Sequence, residues 1–340
     1  MPDDFLKLSA TDRKDALEVA ANASGRPAHL LEKDVWVVWS LQTLFSSPVA
    51  DHLVFKGGTS LSKAYGAIRR FSEDVDLTYD IRAIAGDLTA GNSDALPPNR
   101  SQEKKWTKAI KERLADWVSG EALAIVQAAL DSAKLPAKAE ADADKIHIYY
   151  EPSVSGTGYV RPAVLLEFGA RSTGEPWELK HVQCDAAAHV QGVTFPEASP
   201  RTMCVERTFW EKATAIHVFC AQGTYRGAER FARHWYDLVR LDEAGYAERA
   251  VAARAIAAAV AKHKAIFFVE KGADGQIIDY EAAIGGQLCL VPEGAALERL
   301  AEDYAAMVRD GLLLDDGDPF NTIMDRCRAI QEQANNAIAL

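Results

Sequence analysis

The chain has 340 residues, of which 48% are hydrophobic and 26% are charged, and its formal net charge is −11. This composition is typical of a globular protein with a substantial core, and the length suits two domains of roughly 100–200 residues each. The negative charge excludes a nucleic-acid binder that relies on a positive field over its whole surface. The five cysteines form no CxxC pair, which argues against a zinc site and against a disulfide framework.

The first 80 residues predict two helices, followed by a strand, a third helix and a second strand. Residues 9–46 predict two helices, the first opened by a Ser/Thr/Asp cap and the second by Pro27. The stretch "HLVFKGG" predicts a short strand that ends at a glycine turn, and "TSLSKAYGAIRR" predicts a helix that follows at once. Polar and apolar residues alternate in "DVDLTYD", which indicates a half-buried strand.

The remaining chain divides into a strand-rich part and a helical part. The predicted segments are a loop at 86–100, a helical insertion at about 101–134, an exposed connector at 133–145, three strands ("KIHIYYEP", "YVRPAVLLEFGAR", "WELKHVQCD") and helices at 205–221, 227–244, 246–264, 293–310 and 319–338. The change from strands to helices near 195–204 predicts two domains, residues 1–204 and 205–340. The acidic N-terminus and the lack of an apolar run of roughly 18 residues predict a cytoplasmic protein without a membrane span.

The glycine pair Gly57-Gly58 lies where a predicted strand runs directly into a helix. Backbone N–H groups at such a helix start are suited to binding phosphate, and Thr59 and Ser60 add hydroxyl groups. The alternative interpretation is an ordinary strand–helix turn, in which glycine permits the bend and Ser or Thr caps the helix.

Two aspartates follow on the next predicted strand. Asp74 and Asp76 are two residues apart, so their side chains point to the same face, and a pair of carboxylates suits Mg²⁺. Glu167, in the middle of the apolar strand "AVLLEFGAR", is a candidate third carboxylate because an isolated charge there is costly. The alternatives are a solvated edge strand for the aspartates and an exposed sheet face for Glu167.

The order of these motifs resembles the AbiEii/AbiGii toxin family, nucleotidyltransferase-like proteins within the DNA polymerase β superfamily. The resemblance rests on "FKGGTSLSKAY…RRFSEDVDL" together with "LLEKDVWVVWSLQTLF", "VERTFWEKATAIH" and "RHWYDLVRL", and it covers residues 28–245 in patches. His234 stands where the last of these segments is normally acidic in the family. The resemblance implies an α+β fold, in which a nucleotidyltransferase palm, a mixed β-sheet flanked by helices, carries a helical C-terminal lobe.

The resemblance also implies the roles of individual residues. The phosphates of an NTP would lie against Gly57–Ser60 and Lys212, two Mg²⁺ ions would be bound by Asp74, Asp76 and Glu167, and Asp237 would assist from the helical lobe. From the residues alone, a Glu-Lys pair such as Glu211-Lys212 on a helix is more often solvated surface than part of a site. Asp237 could pair with Arg233 or Arg240 at helical spacing. Glu206 and Glu211 are candidates for holding Lys212 in position.

The function implied is a Mg²⁺-dependent nucleotidyltransferase that is the toxin of a toxin–antitoxin or abortive-infection pair. It would transfer NMP from an NTP to an RNA hydroxyl, at the acceptor end of a tRNA, or to a protein hydroxyl, and a cognate antitoxin would be encoded beside it. Two alternatives remain open at this point, a kinase-like toxin that uses the same site and a non-catalytic nucleotide-sensing or partner-binding protein.

Overall fold

The computed structural model of the chain describes residues 2–72, 74–155, 161–223, 230–309, 313–314 and 317–337. These residues pack into two compact units. Unit 1 comprises Met1–Ala64, Ser72–Ala95 and Lys105–Met203, and unit 2 comprises Tyr65–Phe71, Leu96–Lys104 and Cys204–Leu340. Unit 2 thus includes two short segments from the first part of the chain. The predicted division into domains 1–204 and 205–340 stays a prediction.

Unit 1 is built on a mixed sheet of seven strands. The strands of the unit are β1 (Asp3–Asp4), β2 (Leu53–Lys56), β3 (Asp74–Tyr79), β4 (Ala137–Asp142), β5 (Lys145–Tyr150), β6 (Ala163–Gly169), β7 (Trp177–Leu179), β8 (Val182–Gln183), β9 (Val193–Thr194), β10 (Glu197–Ala198) and β11 (Arg201–Met203). The order in the large sheet is β4-β5-β6-β3-β2-β11-β7. The β3–β6 and β2–β11 pairs are parallel and the other pairs are antiparallel, so the predicted mixed sheet is confirmed.

The central strands bury one face and leave the other partly open. Val75 and Leu77 on β3 and Val164, Leu166 and Phe168 on β6 are buried. The residues that alternate with them are half-buried: Asp74 and Asp76 on β3, and Ala163, Leu165, Glu167 and Gly169 on β6. The period-two pattern of the sequence therefore decides which side chains leave the core, as predicted.

Helices connect the strands of unit 1. They are α1 (Ala10–Ser24), α2 (Ala28–Phe45), α3 (Gly57–Lys63), α4 (Ile81–Ile84), α5 (Gly86–Thr89), α6 (Arg100–Trp117) and α7 (Leu123–Ala133). The first residues of α6, up to Lys104, belong to unit 2. The Ser9 side chain accepts a hydrogen bond from the Asp12 N–H at the start of α1, which ends at Gly25 with a φ of 73°. The predicted helices at 9–46 are confirmed. The helical insertion is also confirmed, since α6 and α7 follow β3 and precede β4.

The predicted exposed connector at 133–145 is wrong, because residues Ala137–Asp142 within it form strand β4. This strand pairs antiparallel with β5 from Ala137↔Tyr150 to Asp142↔Lys145. Alanine, lysine and acidic residues have low strand propensity, but strand propensity yields to pairing and to position in the sheet. Charged side chains are common on edge strands, where they oppose further pairing.

Unit 2 is helical from Cys204 onward. Its helices are α8 (Val205–Gln222), α9 (Arg233–Glu243), α10 (Tyr246–Ala252), α11 (Arg254–Phe267), α12 (Tyr280–Ala282), α13 (Gly294–Arg309) and α14 (Phe320–Asn336). The helix predicted at 246–264 is two helices, separated at Ala253. Residues 227–229 of the helix predicted at 227–244 lie outside the described residues. No helix within the described ranges is long and apolar enough to cross a membrane.

Two tryptophans anchor the core of unit 2. Trp210 and Trp235 are buried, and each indole N–H donates to a backbone carbonyl. The Trp210 Nε1 lies 2.8 Å from the Ala250 oxygen, and the Trp235 Nε1 lies 2.7 Å from the Leu290 oxygen. These bonds satisfy the polar atom of each buried ring, and they fix α8 against α10 and α9 against the segment that precedes α13.

Candidate active site

Three carboxylates lie on the half-open face of the sheet in unit 1. Asp74 and Asp76 alternate with the buried Val75 on β3, so both side chains point away from the core. The parallel pairing of β3 with β6 places Glu167 directly beside Asp76. The predictions that the two aspartates share a face, and that Glu167 belongs to the same sheet, are confirmed.

Gly57 is required by the position of the Asp76 carboxylate. Its φ is +77°, which disfavours other residues, and a Cβ atom added there would lie 2.0 Å from Asp76 Oδ2. The Asp76 carboxylate therefore lies directly against the backbone at the start of α3. The first residue of the predicted phosphate-binding turn and a predicted metal ligand are thus neighbours.

The hydroxyls of Thr59 and Ser60 are buried and engaged within unit 1. The Thr59 hydroxyl donates to the Asp74 carbonyl and lies 2.8 Å from the Ser72 hydroxyl oxygen. The Ser60 hydroxyl donates to the Gly57 carbonyl at 2.9 Å. These bonds tie the first turn of α3 to the start of β3. What this turn offers a phosphate is its backbone N–H groups.

Glu167 forms an ion pair that the sequence did not reveal. The Lys145 Nζ lies 2.8 Å from Glu167 Oε1, and both side chains are more than a third exposed. This hydrogen bond, together with the nearby charges of Asp144 and Asp74, raises the pKa of Lys145. Lys145 faces Glu167 across the β5–β6 pair. The sequence feature that could have indicated this ion pair is Lys145, the first residue of the strand "KIHIYY".

The aspartate pair fits a hard divalent cation. Asp74 and Asp76 supply oxygen donors from one face of one strand, and both are half-buried, so part of each side chain is accessible to solvent. Among the described residues, which leave out Glu73, no group of three His, Cys, Asp or Glu side chains is gathered as a metal site. Glu167 lies beside the two aspartates and forms an ion pair with Lys145.

A second group of charged residues lies in unit 2. The side chains of Lys212 on α8 and Asp237 on α9 are 9% and 0% exposed, and the Lys212 Nζ lies 2.8 Å from Asp237 Oδ2. Arg70, also buried, donates from Nε to Asp237 Oδ1 at 2.6 Å and from Nη2 to Oδ2 at 2.8 Å. The structure thus brings together the two residues predicted for the helical lobe and adds Arg70.

The charge state of Asp237 follows from these two partners. Burial would raise the pKa of the Asp237 carboxyl, but the charges of Arg70 and Lys212 and their hydrogen bonds hold that pKa well below its ordinary value. Asp237 is therefore ionised at neutral pH although it is fully buried.

Three expectations about partners in unit 2 are wrong. Arg240 pairs with Glu243 and Asp318 instead of with Asp237. The neighbouring acidic residues do not hold Lys212 either. Their partners in the structure are Arg207, which lies 3.1 Å from Glu211, and Arg249, which lies 2.5 Å from Glu206.

Comparison with known proteins places the chain in a family. The sequence model of the family described as nucleotidyl transferase AbiEii toxin, type IV toxin–antitoxin system, matches residues 39–326. Similar solved structures include MenT4, a nucleotidyltransferase toxin from Mycobacterium tuberculosis, with 18% identity, 98% of each chain covered and a TM-score of 0.40. Another is JHP933 from Helicobacter pylori, with 14% identity, 90% of each chain covered and a TM-score of 0.38.

None of the curated proteins searched matches the chain. The family match extends from α2 to α14 and includes the glycine turn, the aspartate pair, Lys212 and Asp237. The chain therefore belongs to the AbiEii nucleotidyltransferase toxin family of type IV toxin–antitoxin systems, and it is a nucleotidyltransferase.

Proposed function

We propose that the protein transfers a nucleoside monophosphate from an NTP to a hydroxyl group of an RNA, at the acceptor end of a tRNA. The acceptor hydroxyl releases its proton to solvent as its oxygen attacks the α-phosphorus. The bond from that phosphorus to the oxygen shared with the β-phosphate breaks, and pyrophosphate leaves. One observation carries this proposal. Asp74 and Asp76 share a face of β3, and the Asp76 carboxylate touches the backbone of Gly57 at the start of α3.

Asp74 and Asp76 are the residues proposed to hold Mg²⁺. When bound, Mg²⁺ supplies charge neutralisation for the triphosphate and for the oxygens that attack and leave. The backbone N–H groups of Gly57–Ser60 are proposed to orient the phosphates. In the predicted two-metal arrangement Glu167 would be the third ligand, and one of its two carboxylate oxygens, Oε1, is paired with Lys145.

Lys212 is proposed to contribute positive charge to the phosphates. Lysine acts as a point charge on a flexible stem, so its position depends on what its ammonium group binds. Here that partner is Asp237, which is fully buried and ionised. Asp237 is thus proposed to orient Lys212.

An RNA acceptor is favoured over a protein acceptor by α6. Lys105, Lys108 and Lys111 are exposed and recur every three residues on this helix, in a chain whose net charge is −11. A local basic surface of this kind attracts a polyanion even when the whole protein is acidic.

We further propose that the protein acts in the cytoplasm and that an antitoxin encoded beside it controls its activity.

The test is transfer of label from NTPs to purified tRNA or to cytosolic protein. We expect label from α-³²P-NTP, and none from γ-³²P-NTP, to appear on tRNA, and EDTA to abolish the transfer. Label from the γ-phosphate alone would show a kinase, and α-label on protein alone would refute the RNA acceptor. The Asp76→Asn variant controls for a contaminating enzyme, since it should be inactive while remaining folded.

A further inference from the structure

Arg70 makes the most specific contact in the charged group of unit 2. It lies in Tyr65–Phe71, the segment that follows α3 and precedes β3 in the chain. Its side chain is 6% exposed and holds both oxygens of Asp237, at 2.6 and 2.8 Å. Asp237 Oδ2 accepts from Lys212 as well, so one oxygen connects the arginine to the lysine.

The chemistry of arginine explains what this contact does. A guanidinium is a rigid planar fork, and two parallel hydrogen bonds fix both the position and the plane of a carboxylate. A single lysine bond leaves the carboxylate free to turn. With Arg70 in place, Asp237 Oδ2 is presented to Lys212 in one orientation.

The Arg70 side chain is not needed simply to attach its segment to unit 2. The Leu314 N–H donates to the Arg69 carbonyl at 2.9 Å, and Arg70 and Leu313 form an antiparallel bridge through their backbones. Tyr65 also contacts Tyr246, edge to face, with ring centroids 6.0 Å apart. These contacts hold the segment independently of the guanidinium.

We propose that Arg70 is a positioning residue for nucleotidyl transfer, which fixes the Asp237 carboxylate and through it the Lys212 ammonium that binds the NTP phosphates. This inference rests on the proposed function, because it assumes that Lys212 contacts the nucleotide. If the inference holds, Arg70 affects NTP affinity only by positioning Lys212.

The test is a double-mutant cycle on nucleotide affinity. The magnesium complexes of the four NTPs are titrated without an acceptor, and the tightest of them is used throughout. Arg70→Gln should weaken its binding by about tenfold, as expected for a displaced charge-assisted phosphate contact. Arg69→Gln is the matched control, since Arg69 is exposed and adjacent, and it should leave the affinity unchanged.

The Lys212→Ala background separates positioning from a structural role. If Arg70 acts through Lys212, Arg70→Gln has no further effect on affinity in that background. The same factor in both backgrounds would show an independent, structural effect and would overturn the inference, as would unchanged affinity in Arg70→Gln. Thermal unfolding of each variant without nucleotide monitors folding separately.

Two further outcomes distinguish this inference from the proposed function. If Lys212→Ala binds NTP as tightly as the unmodified protein, the phosphate role proposed for Lys212 fails, and the role of Arg70 fails with it. If Lys212→Ala binds weakly and Arg70→Gln does not, only the present inference fails. Should Arg70→Gln not fold, Arg70→Lys replaces it in the cycle, because it keeps the charge and loses the fork.

Discussion

The two groups of charged residues proposed to act on the nucleotide are held in opposite ways. In unit 1, Asp74, Asp76 and Glu167 are half-buried, and backbone pairing of the sheet and the close approach of Gly57 place them. In unit 2, Lys212 and Asp237 are buried, and charged side chains place one another. Replacing one of the carboxylates of unit 1 should therefore remove function at little cost in stability, whereas replacing Lys212 or Asp237 in unit 2 should remove both.

The largest effect on stability is expected for Asp237→Ala. This change leaves the charges of Arg70 and Lys212 buried without their shared carboxylate, and breaking a buried ion pair from one side costs about 3–5 kcal/mol. Urea unfolding monitored by tryptophan fluorescence measures the loss, since Trp210 and Trp235 lie in the core of the same unit.

The control for Asp237→Ala is Asp242→Ala on the same helix. Asp242 lies 3.2 Å from Arg326, and both side chains are partly exposed, so its loss should cost no more than about 1 kcal/mol. Equal losses in the two variants would remove the distinction between buried and exposed pairs. Because folding lowers the pKa of Asp237, its contribution to the free energy of unfolding depends on pH. That contribution is complete above about pH 4, the ordinary carboxyl pKa, and is lost as the pH falls below that value.

The opposite behaviour is expected for Asp76→Asn in unit 1. Replacing a metal ligand should lower the rate of label transfer from α-³²P-NTP by at least about 100-fold. Substitutions of residues that only hydrogen-bond to a metal ligand already cost roughly 10–100-fold. The side chain is half-buried and keeps its size, so the free energy of unfolding should change by less than about 1 kcal/mol. A destabilisation as large as that of Asp237→Ala would contradict the contrast between the units.

Gly57→Ala tests how the backbone places Asp76. The new methyl group would displace Asp76 Oδ2, and activity should fall by about tenfold or more. Gly25→Ala is the matched control, because Gly25 has a φ of +73° and no atom within 4 Å of an added Cβ. Both variants should lose about 1–3 kcal/mol of stability from backbone strain, so only a difference in activity isolates the contact with Asp76.

The same contrast explains what the sequence could predict. The shared face of Asp74 and Asp76 follows from the two-residue period of a strand, and this local rule proved correct. The partners of Asp237 and Glu167 are distant along the chain, and for Asp237 the expectation from helical spacing was wrong. Local periodicity places a side chain on a face, but no local pattern states which distant charge will meet it.

Strand β4 shows the same limit for the fold. Its alternation of alanine with charged residues lacks the β-branched and aromatic residues typical of strands. Only the pairing with β5, which tertiary structure decides, makes it a strand. Helices α1 and α2, in contrast, carry their own boundaries in Ser9, Gly25 and Pro27 and were predicted correctly.

The smallest effect is expected at the ion pair of Lys145 and Glu167, and it decides whether Glu167 joins the aspartates. Exposed pairs of this kind contribute about 0.2–1 kcal/mol. If Glu167 binds the cation, Lys145→Met releases it and should lower the Mg²⁺ concentration for half-maximal activity by no more than about fivefold. Glu167→Gln should raise that concentration, because it removes the ligand itself, and the matched change at the exposed Glu140, which pairs with Lys138, should not. Should Glu167→Gln and Lys145→Met both leave the Mg²⁺ requirement unchanged, the cation is held by Asp74 and Asp76 without Glu167, and the pair with Lys145 serves only to join β5 to β6.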